Sequence, residues 1–429
     1  MPKPLSGGLD VVFRRLPLYA IGTFLVMIVV TSVLDWSVYH AVGPTPGHGY
    51  LDGPGWLDAL FQGDSGWYYR IASDGYSYTA GQQSSIAFFP AYPLLVHGVG
   101  VLLGRDFSTA GGLVTLLSAA GVVMLFADWV RSRLAPRAAV VAVALLLVYP
   151  YSLFLYGSGY SDAFYLLTVL GSFALLERRH YVLAGLVGAL ATAGRPVGIA
   201  VAVGVVVRGV ELLAEDRAAR RDAAVLLGVR ADAGASTVRP AVNLPPAPVR
   251  WRELLRAVQH VRWRQAGLLL SGAGLTAWMI YLGVRFGDPV AFATVQGAPG
   301  WDQRGGPRTW FKVPFFGALY YLHWHDIVLV APQALACLAA LLLIRTVWRR
   351  FGWGYAAYAL ISLGIPLIGT KDFMGMGRYV LDAYPVLAAA AVVLIGVRRP
   401  RWLAPVVLAV LFLGLCTALI AFVNGVEVS

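Results

Sequence analysis

Three stretches of this chain are apolar runs close to the length that crosses a hydrocarbon bilayer core: Leu18–Leu34, Ile327–Ile344 and Trp402–Val423. Roughly 20 apolar residues in helical form span such a core. In hydrocarbon every backbone N–H and C=O must be satisfied within the protein, and for runs like these the helix is the solution. Composition extends the point to the whole chain, which is 58% hydrophobic and 13% charged, with a mean hydropathy of +0.68. Soluble domains carry about 25% charged residues, so an all-α polytopic membrane protein is expected. The first run lacks a small-residue cleavage site after a short apolar core and reads as a retained helix, not a signal peptide. Cys337 and Cys416 lie inside apolar segments, which argues against both disulfides and thiolate chemistry.

The net charge of +12 is topological in origin. Basic residues cluster in short connections, the positive-inside pattern, and do not make a nucleic-acid footprint. Lys3, Arg14 and Arg15 place the N-terminus in the cytoplasm, and Arg131, Arg133, Arg137, Glu177–His180, Arg345, Arg349, Arg350, Arg398, Arg399 and Arg401 mark further inside turns. Alternation of sides then predicts about 11 crossings, with the C-terminus outside. Phe88–Leu103 reads as a membrane-dipping segment interrupted at Pro90 and Pro93. Residues 181–208 read as two half-spans broken at Gly194-Arg195-Pro196, a break tolerated where free backbone lines a cavity. One membrane domain, 1–429, is expected, with an extracytoplasmic first loop and dipping segment over 37–109 and a basic cytoplasmic loop over 208–265. The tail of that loop, VRWRELLRAVQHVRWRQ, sets Trp251, Leu254, Leu255, Val258 and Val261 on one helical face among arginines, the pattern of an interfacial helix.

The first loop holds the least membrane-like sequence, GDSGWYYRIASDGYSYTAGQQSSIAFFPAYP over residues 63–93. Polar groups at a membrane face are costly, so their presence there points to chemistry. Asp64, Asp74, Asp162, Arg195, His323, His325, Asp326, Lys371, Asp372 and Arg378 all map to the outer half, and the inner half shows no comparable set of convergent acids. Asp64, beside Trp67 and Tyr68, suits a base acting on a hydroxyl, or equally an N-cap of the helix that follows it. Asp162 in GYSDAFYLL suits an N-cap, a second acid, or a ligand for a divalent ion shared with a phosphate. Arg195 has no adjacent acid in the sequence, and it and Arg378, flanked by Gly375 and Gly377, suit bidentate contact with a phosphate. His323 and His325 are spaced i, i+2, which does not aim both at one metal from a helix, and they read as rim or substrate-orienting groups. No Walker loop, dinucleotide fingerprint, HExxH or CxxC is present, so soluble-nucleotide chemistry has no visible seat.

GDSGWYYRIASDGY followed by AFFPAYPLL resembles the signature of the PIG-V-type mannosyltransferases, polytopic glycosyltransferases of the GT-C fold. The usual form there runs Trp-Asp-x-x-Trp-Tyr-x-x-Ile-Ala-x-x-Gly-Tyr, then Ala-Phe-Phe-Pro-x-Tyr-Pro. PYSLFLYGSGYSDAFYLL, LAGLVGALATAGRPVGIAV, VQGAPGWDQRGGP and GRYVLDAYPVL come in the family's order, so the similarity covers roughly residues 55–390. The strong preference for Arg over Lys suggests a bacterial member. The resemblance implies an inverting transfer of mannose from a polyprenyl-phosphate-mannose donor to an acceptor hydroxyl, on a glycolipid, lipoglycan or protein, at the extracytoplasmic face of the cell membrane. It implies Asp64 as the catalytic carboxylate, Arg195 and Arg378 near the donor phosphate, and Gln296, Trp301 and Arg304 on the acceptor side. Trp67, Tyr68, Tyr76, Phe89, Tyr92, His323 and His325 complete the expected substrate contacts, with a divalent cation (Mg or Mn) an open question. Departures are Gly63 where Trp is usual, Asp162 where Glu is common, and a stretched Gln–Trp spacing. A secondary transporter or flippase of a lipid-linked or anionic solute is the competing class. Such proteins usually show paired repeats, and none is evident here.

Overall fold

The computed structural model describes residues 7–42, 59–232, 249–303, 305–396 and 400–428, and within them there are helices and no strands. α1 (Gly7–Arg14) and α2 (Leu16–Val42) lead to the first connecting segment, which carries α3 (Asp64–Asp74) and α4 (Ala91–Leu102). Next come α5 (Phe107–Arg131), α6 (Pro136–Val148), α7 (Asp162–Glu177), α8 (Tyr181–Thr192) and α9 (Ile199–Asp232). Beyond these lie α10 (Trp251–Val258), α11 (Ala273–Phe286), α12 (Val313–Tyr320) and α13 (Trp324–Phe351). The last group is α14 (Trp353–Gly369), α15 (Met376–Asp382), α16 (Tyr384–Leu394) and α17 (Leu403–Val423).

Helix ends fall where local chemistry puts them. The Asp106 carboxylate accepts the Thr109 N–H at 2.9 Å and caps α5. Pro136 opens α6, where its missing N–H costs nothing, and Pro150 comes just after the residue on which that helix ends. Pro385 in the first turn of α16 prevents α15 from running straight on, and the pair bends by 82°. In α4 the prolines begin the helix instead of interrupting it: Pro90 is its cap and Pro93 lies in its first turn. That first turn is where proline is tolerated.

Six helices among the described residues are long and apolar enough to cross a membrane: Leu16–Val42, Phe107–Arg131, Pro196–Arg221, Trp263–Phe286, Trp324–Phe351 and Leu403–Val423. The bent α15–α16 pair makes a seventh, and α4, α6, α8 and α14 are shorter apolar helices. Phe107–Arg131 and Pro196–Arg221 are central, with 56% and 61% of their apolar windows buried, against 22% for Trp324–Phe351 and Leu403–Val423. The outer helices turn Leu335, Leu338 and Leu342, or Val406, Val410 and Leu413, outward at helical spacing. A continuous apolar face of that kind belongs against lipid. The core between is aromatic, with Phe173 stacked on Tyr355 at 4.8 Å and Trp129 edge-on to Tyr384 at 5.0 Å.

Three expectations are corrected. The break at 194–196 is present, but the helix beyond it is no half-span: Pro196–Arg221 is full length. For the same reason the segment 208–265 does not begin as a loop, since α9 runs on to Asp232. At its start Arg208 lies 2.8 Å from Glu177, 2.9 Å from Glu211 and 2.6 Å from Glu215. Glu211 also accepts the N–H groups of Trp353 and Gly354, which open α14. Arg133 and the Tyr355 hydroxyl complete the cluster at Glu177. So convergent acids do exist away from the first loop, paired and structural, and polarity there did not mean loop. The stretch 233–248 lies outside the described residues, as do Lys3, Arg304, Arg398 and Arg399.

Removing the cation of such a buried cluster leaves carboxylates stranded. Arg208→Met is therefore expected to cost about 3–5 kcal/mol, read as the loss in unfolding free energy of the detergent-solubilised protein.

Candidate active site

The start of α7, the break before α9, the body of α15 and the start of α3 meet at one point. There Asp162, Arg195, Arg378, Asp382 and Asp64 form a single ionic network. Arg378 grips Asp162 with a fork, Nε to Oδ1 at 3.1 Å and Nη2 to Oδ2 at 2.9 Å. Its Nη1 donates to Asp64 Oδ2 at 2.9 Å. Arg195 Nη1 bridges Asp162 at 2.7 Å and Asp382 at 2.6 Å, leaving Nε and Nη2 without a protein acceptor among the described residues. Aromatic rings fix both guanidiniums: Arg378 lies over Tyr160 and Phe154, and Arg195 over Tyr379 and Tyr165.

Asp162 and Asp382 are fully buried, whereas Asp64 keeps 37% of its side chain exposed. Asp162 therefore acts as the spacer that holds two arginines side by side. Among the described residues no group of three or more His, Cys, Asp or Glu side chains could hold a metal ion. Asp162 does not suit a metal ligand, because both of its oxygens already serve the arginines.

Backbone geometry explains how Asp64 is presented. It opens α3, and Gly63 before it has φ +58 and ψ −121. A Cβ at Gly63 would sit 2.7 Å from the Tyr160 hydroxyl, which accepts the Asp64 N–H at 3.1 Å and donates to Gln62 O at 2.9 Å. That left-handed, crowded position is the structural reason for Gly where the resembling motif has Trp. Gly377 has a parallel role on α15, where the Tyr151 ring fills the space of a side chain.

These groups face a cleft of about 220 Å³ lined by Asp64, Tyr68, Phe88, Phe89, Arg195, Gln296, Trp301, Gln303, Thr370, Arg378 and Glu427 together with neighbouring backbone. Of the residues singled out from sequence, Asp64, Tyr68, Phe89, Arg195, Gln296, Trp301 and Arg378 line it. Trp67 lies one layer behind, stacked on Phe88 at 5.7 Å. Tyr76 and Tyr92 are structural: the Tyr76 hydroxyl donates to Phe88 O, and Tyr92, fully buried, donates to Gly111 O. His323 and His325 stand apart from the cleft at the start of α13, exposed beside Asp326. Arg195, which has no adjacent acid in the sequence, meets two acids that are distant in it, Asp162 and Asp382.

Asp382, Gln303, Thr370, Lys312 and Glu427 were not singled out from the sequence. Asp382 left a signal, an acid within the apolar stretch YVLDAYP. Glu427 left none; burial first, and then Asp64, pushes its carboxyl up. Behind the cleft, Gln303 Oε1 accepts the Lys371 N–H at 2.6 Å, and the Lys312 ammonium donates to Thr370. Together they clamp the 370–375 loop that leads into Arg378. Burial brings the Lys312 amine down to about 8.

No protein-family model matches the sequence, and no curated protein matches it. Among solved structures, the archaeal oligosaccharyltransferase AglB from Archaeoglobus fulgidus, in complex with an inhibitory peptide and a dolichol-phosphate, is similar over 94% of this chain. The identity is 12% and the TM-score 0.46, and the match covers 56% of the oligosaccharyltransferase chain. ArnT from Cupriavidus metallidurans, bound to undecaprenyl phosphate, is similar over 94% of this chain and 75% of its own, with 15% identity and a TM-score of 0.43. At TM-scores of this order the functional reading rests on the cleft itself.

Lys312 gives this region a pH dependence. Its amine is neutral in the folded protein above pH about 8 but charged in the unfolded chain up to about 10.5. Unfolding in that window takes up a proton, so this group's contribution to stability rises with pH across it and is lost as pH falls through 8. Thermal unfolding between pH 7.5 and 9.5 should therefore show a rise in the wild type that Lys312→Met lacks.

Proposed function

We propose that this protein is an inverting glycosyltransferase. It moves mannose from a polyprenyl-phosphate-mannose donor to an acceptor hydroxyl at the extracytoplasmic membrane face, with Asp64 as general base. The observation that carries the reading is the pairing of unlike groups in one cleft. A half-exposed carboxylate stands 2.9 Å from a guanidinium that is itself locked beside a second guanidinium.

An inverting displacement at a phosphate-linked sugar asks for that pair. The acceptor oxygen attacks the anomeric carbon from the face opposite the phosphate, and its proton passes to Asp64. The carbon–oxygen bond to phosphate breaks, and its electron pair leaves with the polyprenyl phosphate. Arg195 Nε and Nη2 are free of protein acceptors among the described residues and suit the charge that develops on the leaving group. A phosphate that takes over a guanidinium N–H of Arg378 frees both Asp64 oxygens for the acceptor hydroxyl. Because carboxylates and aromatic rings hold the arginines in place, little reorganisation accompanies the reaction. Trp301, Phe88 and Tyr68 supply flat faces for a sugar ring. Mannose, the carrier and the acceptor class derive from the resemblance of the first-loop motif, and a lipid-phosphate donor agrees with the lack of any nucleotide-binding motif. Two clusters at opposite ends of α7 support an orientation in the membrane. Asp162 and Glu177 are separated by about 22 Å along the helix, the greater part of the roughly 30 Å depth of a bilayer core. The arginine-rich connections lie at the Glu177 end, which supports reading the cleft as the outer one.

Asp64→Asn is expected to reduce transfer from polyprenyl-phosphate-mannose by about 100-fold or more while the protein stays folded and monodisperse, in line with the loss of a general base. Full activity of that variant, assayed in detergent against a panel of acceptors, would remove the base assignment. Arg195→Lys keeps the charge but not the fork, and should raise the KM for the donor with the acceptor KM unchanged. A donor dependence equal to that of the wild type would take Arg195 out of the donor site.

A further inference from the structure

The second half of α9 carries a second basic site that owes nothing to the cleft. Arg217 and Arg221 lie one helical turn apart on α9 and, with Arg256 of α10, line a pocket shared with Ala214, Ala218 and Glu253. Among the described side chains, every acid near them is already committed. Glu211 serves Arg208 and the start of α14, Glu215 serves Arg208, and Asp216 serves Arg179 at 2.6 Å. Glu253 Oε2 accepts the backbone N–H of Arg250. Among the described residues, Arg217, Arg221 and Arg256 make no ion pair, and Arg217 Nη1 is buried without a hydrogen-bond partner. Three guanidiniums against one carboxylate leave the pocket with an excess of two positive charges.

The pocket's surroundings indicate where its anion comes from. α10 exposes Trp251, Leu255 and Val258, and Val261 and Trp263 continue the apolar face, with Trp263 78% exposed. Exposed tryptophans over an apolar stripe flanked by arginine mark the level of lipid headgroups. A guanidinium cluster at that depth matches a phosphodiester.

We propose that Arg217, Arg221 and Arg256 form a binding site for the headgroup phosphate of an anionic phospholipid, whose acyl chains lie along the Trp251–Leu255–Val258 face. The site fastens α9 at Arg217 and Arg221, together with α10, to the membrane surface.

The test uses the full-length protein in detergent, with phosphatidylglycerol, phosphatidylcholine and inorganic phosphate as probes and retained lipid read by native mass spectrometry. The wild type should retain phosphatidylglycerol over phosphatidylcholine, and millimolar inorganic phosphate should not displace it. The Arg217→Gln/Arg221→Gln/Arg256→Gln variant should lose that retention by tenfold or more. A control with the same loss of charge outside the pocket, Arg252→Gln/Arg262→Gln/Arg264→Gln, should keep it. Glu253→Gln removes the pocket's acid yet keeps an acceptor for the Arg250 N–H, and should strengthen retention. That variant reads the site even if the triple variant does not fold. Equal loss in the pocket and control variants, or no gain in Glu253→Gln, would overturn the site in favour of diffuse surface charge. Displacement by inorganic phosphate would show a free-anion site and overturn the lipid assignment.

Discussion

Asp162 is a fully buried carboxylate, and the cleft depends on how its charge is answered. Two arginines, from the break before α9 and from α15, reach it at 2.7–3.1 Å. Taking one partner from such a group costs about 3–5 kcal/mol, so the elements that carry them are tied into one position. Arg378 then extends to Asp64, and Arg195 to Asp382. One buried acid thus fixes two cations side by side, and the cations in turn fix the half-exposed acid of the first loop. The arrangement is costly to build in a membrane protein and gives a polar site that barely needs to move.

The same helices carry a second ionic cluster at their other end, where Arg208 gathers Glu177, Glu211 and Glu215. The two clusters differ in what they leave over. Around Arg208 the acids are answered by arginines, a tyrosine hydroxyl and backbone N–H groups. In the cleft, Asp64 stays half exposed, and two Arg195 nitrogens have no protein acceptor among the described residues. A partly exposed carboxylate and guanidinium N–H groups without protein acceptors, facing one cavity, distinguish a site for chemistry from a structural staple.

Much of this was legible from residue pattern, and the failures have physical causes. The apolar runs indicated the all-helical membrane architecture because hydrocarbon permits little else. The Gly194-Arg195-Pro196 break was visible because proline and glycine act locally. Pairing across the fold was not visible: Arg195 meets Asp162 and Asp382, and Arg378 meets residues 216 and 314 positions away. Nothing in the local sequence announces those partners. Charge density misled at 208–217, where helix was read as loop because the neutralising contacts come from other helices and from side chains one turn away. Aromatic residues misled at Tyr92, whose place in an aromatic motif concealed a buried hydroxyl bonded to Gly111. Tyr76, likewise, packs on Trp278 and supports the cleft wall from behind.

The central claim is that the paired guanidiniums receive the carrier's phosphate while Asp64 faces the acceptor. The most direct measurement is an electron cryomicroscopy structure of the wild-type protein with a polyprenyl phosphate. The account predicts phosphate density within hydrogen-bonding distance of Arg195 Nε or Nη2 and of Arg378, with Asp64 on the opposite side of the sugar position. Phosphate density outside this cleft, with the Asp64–Arg378 contact undisturbed, would contradict it.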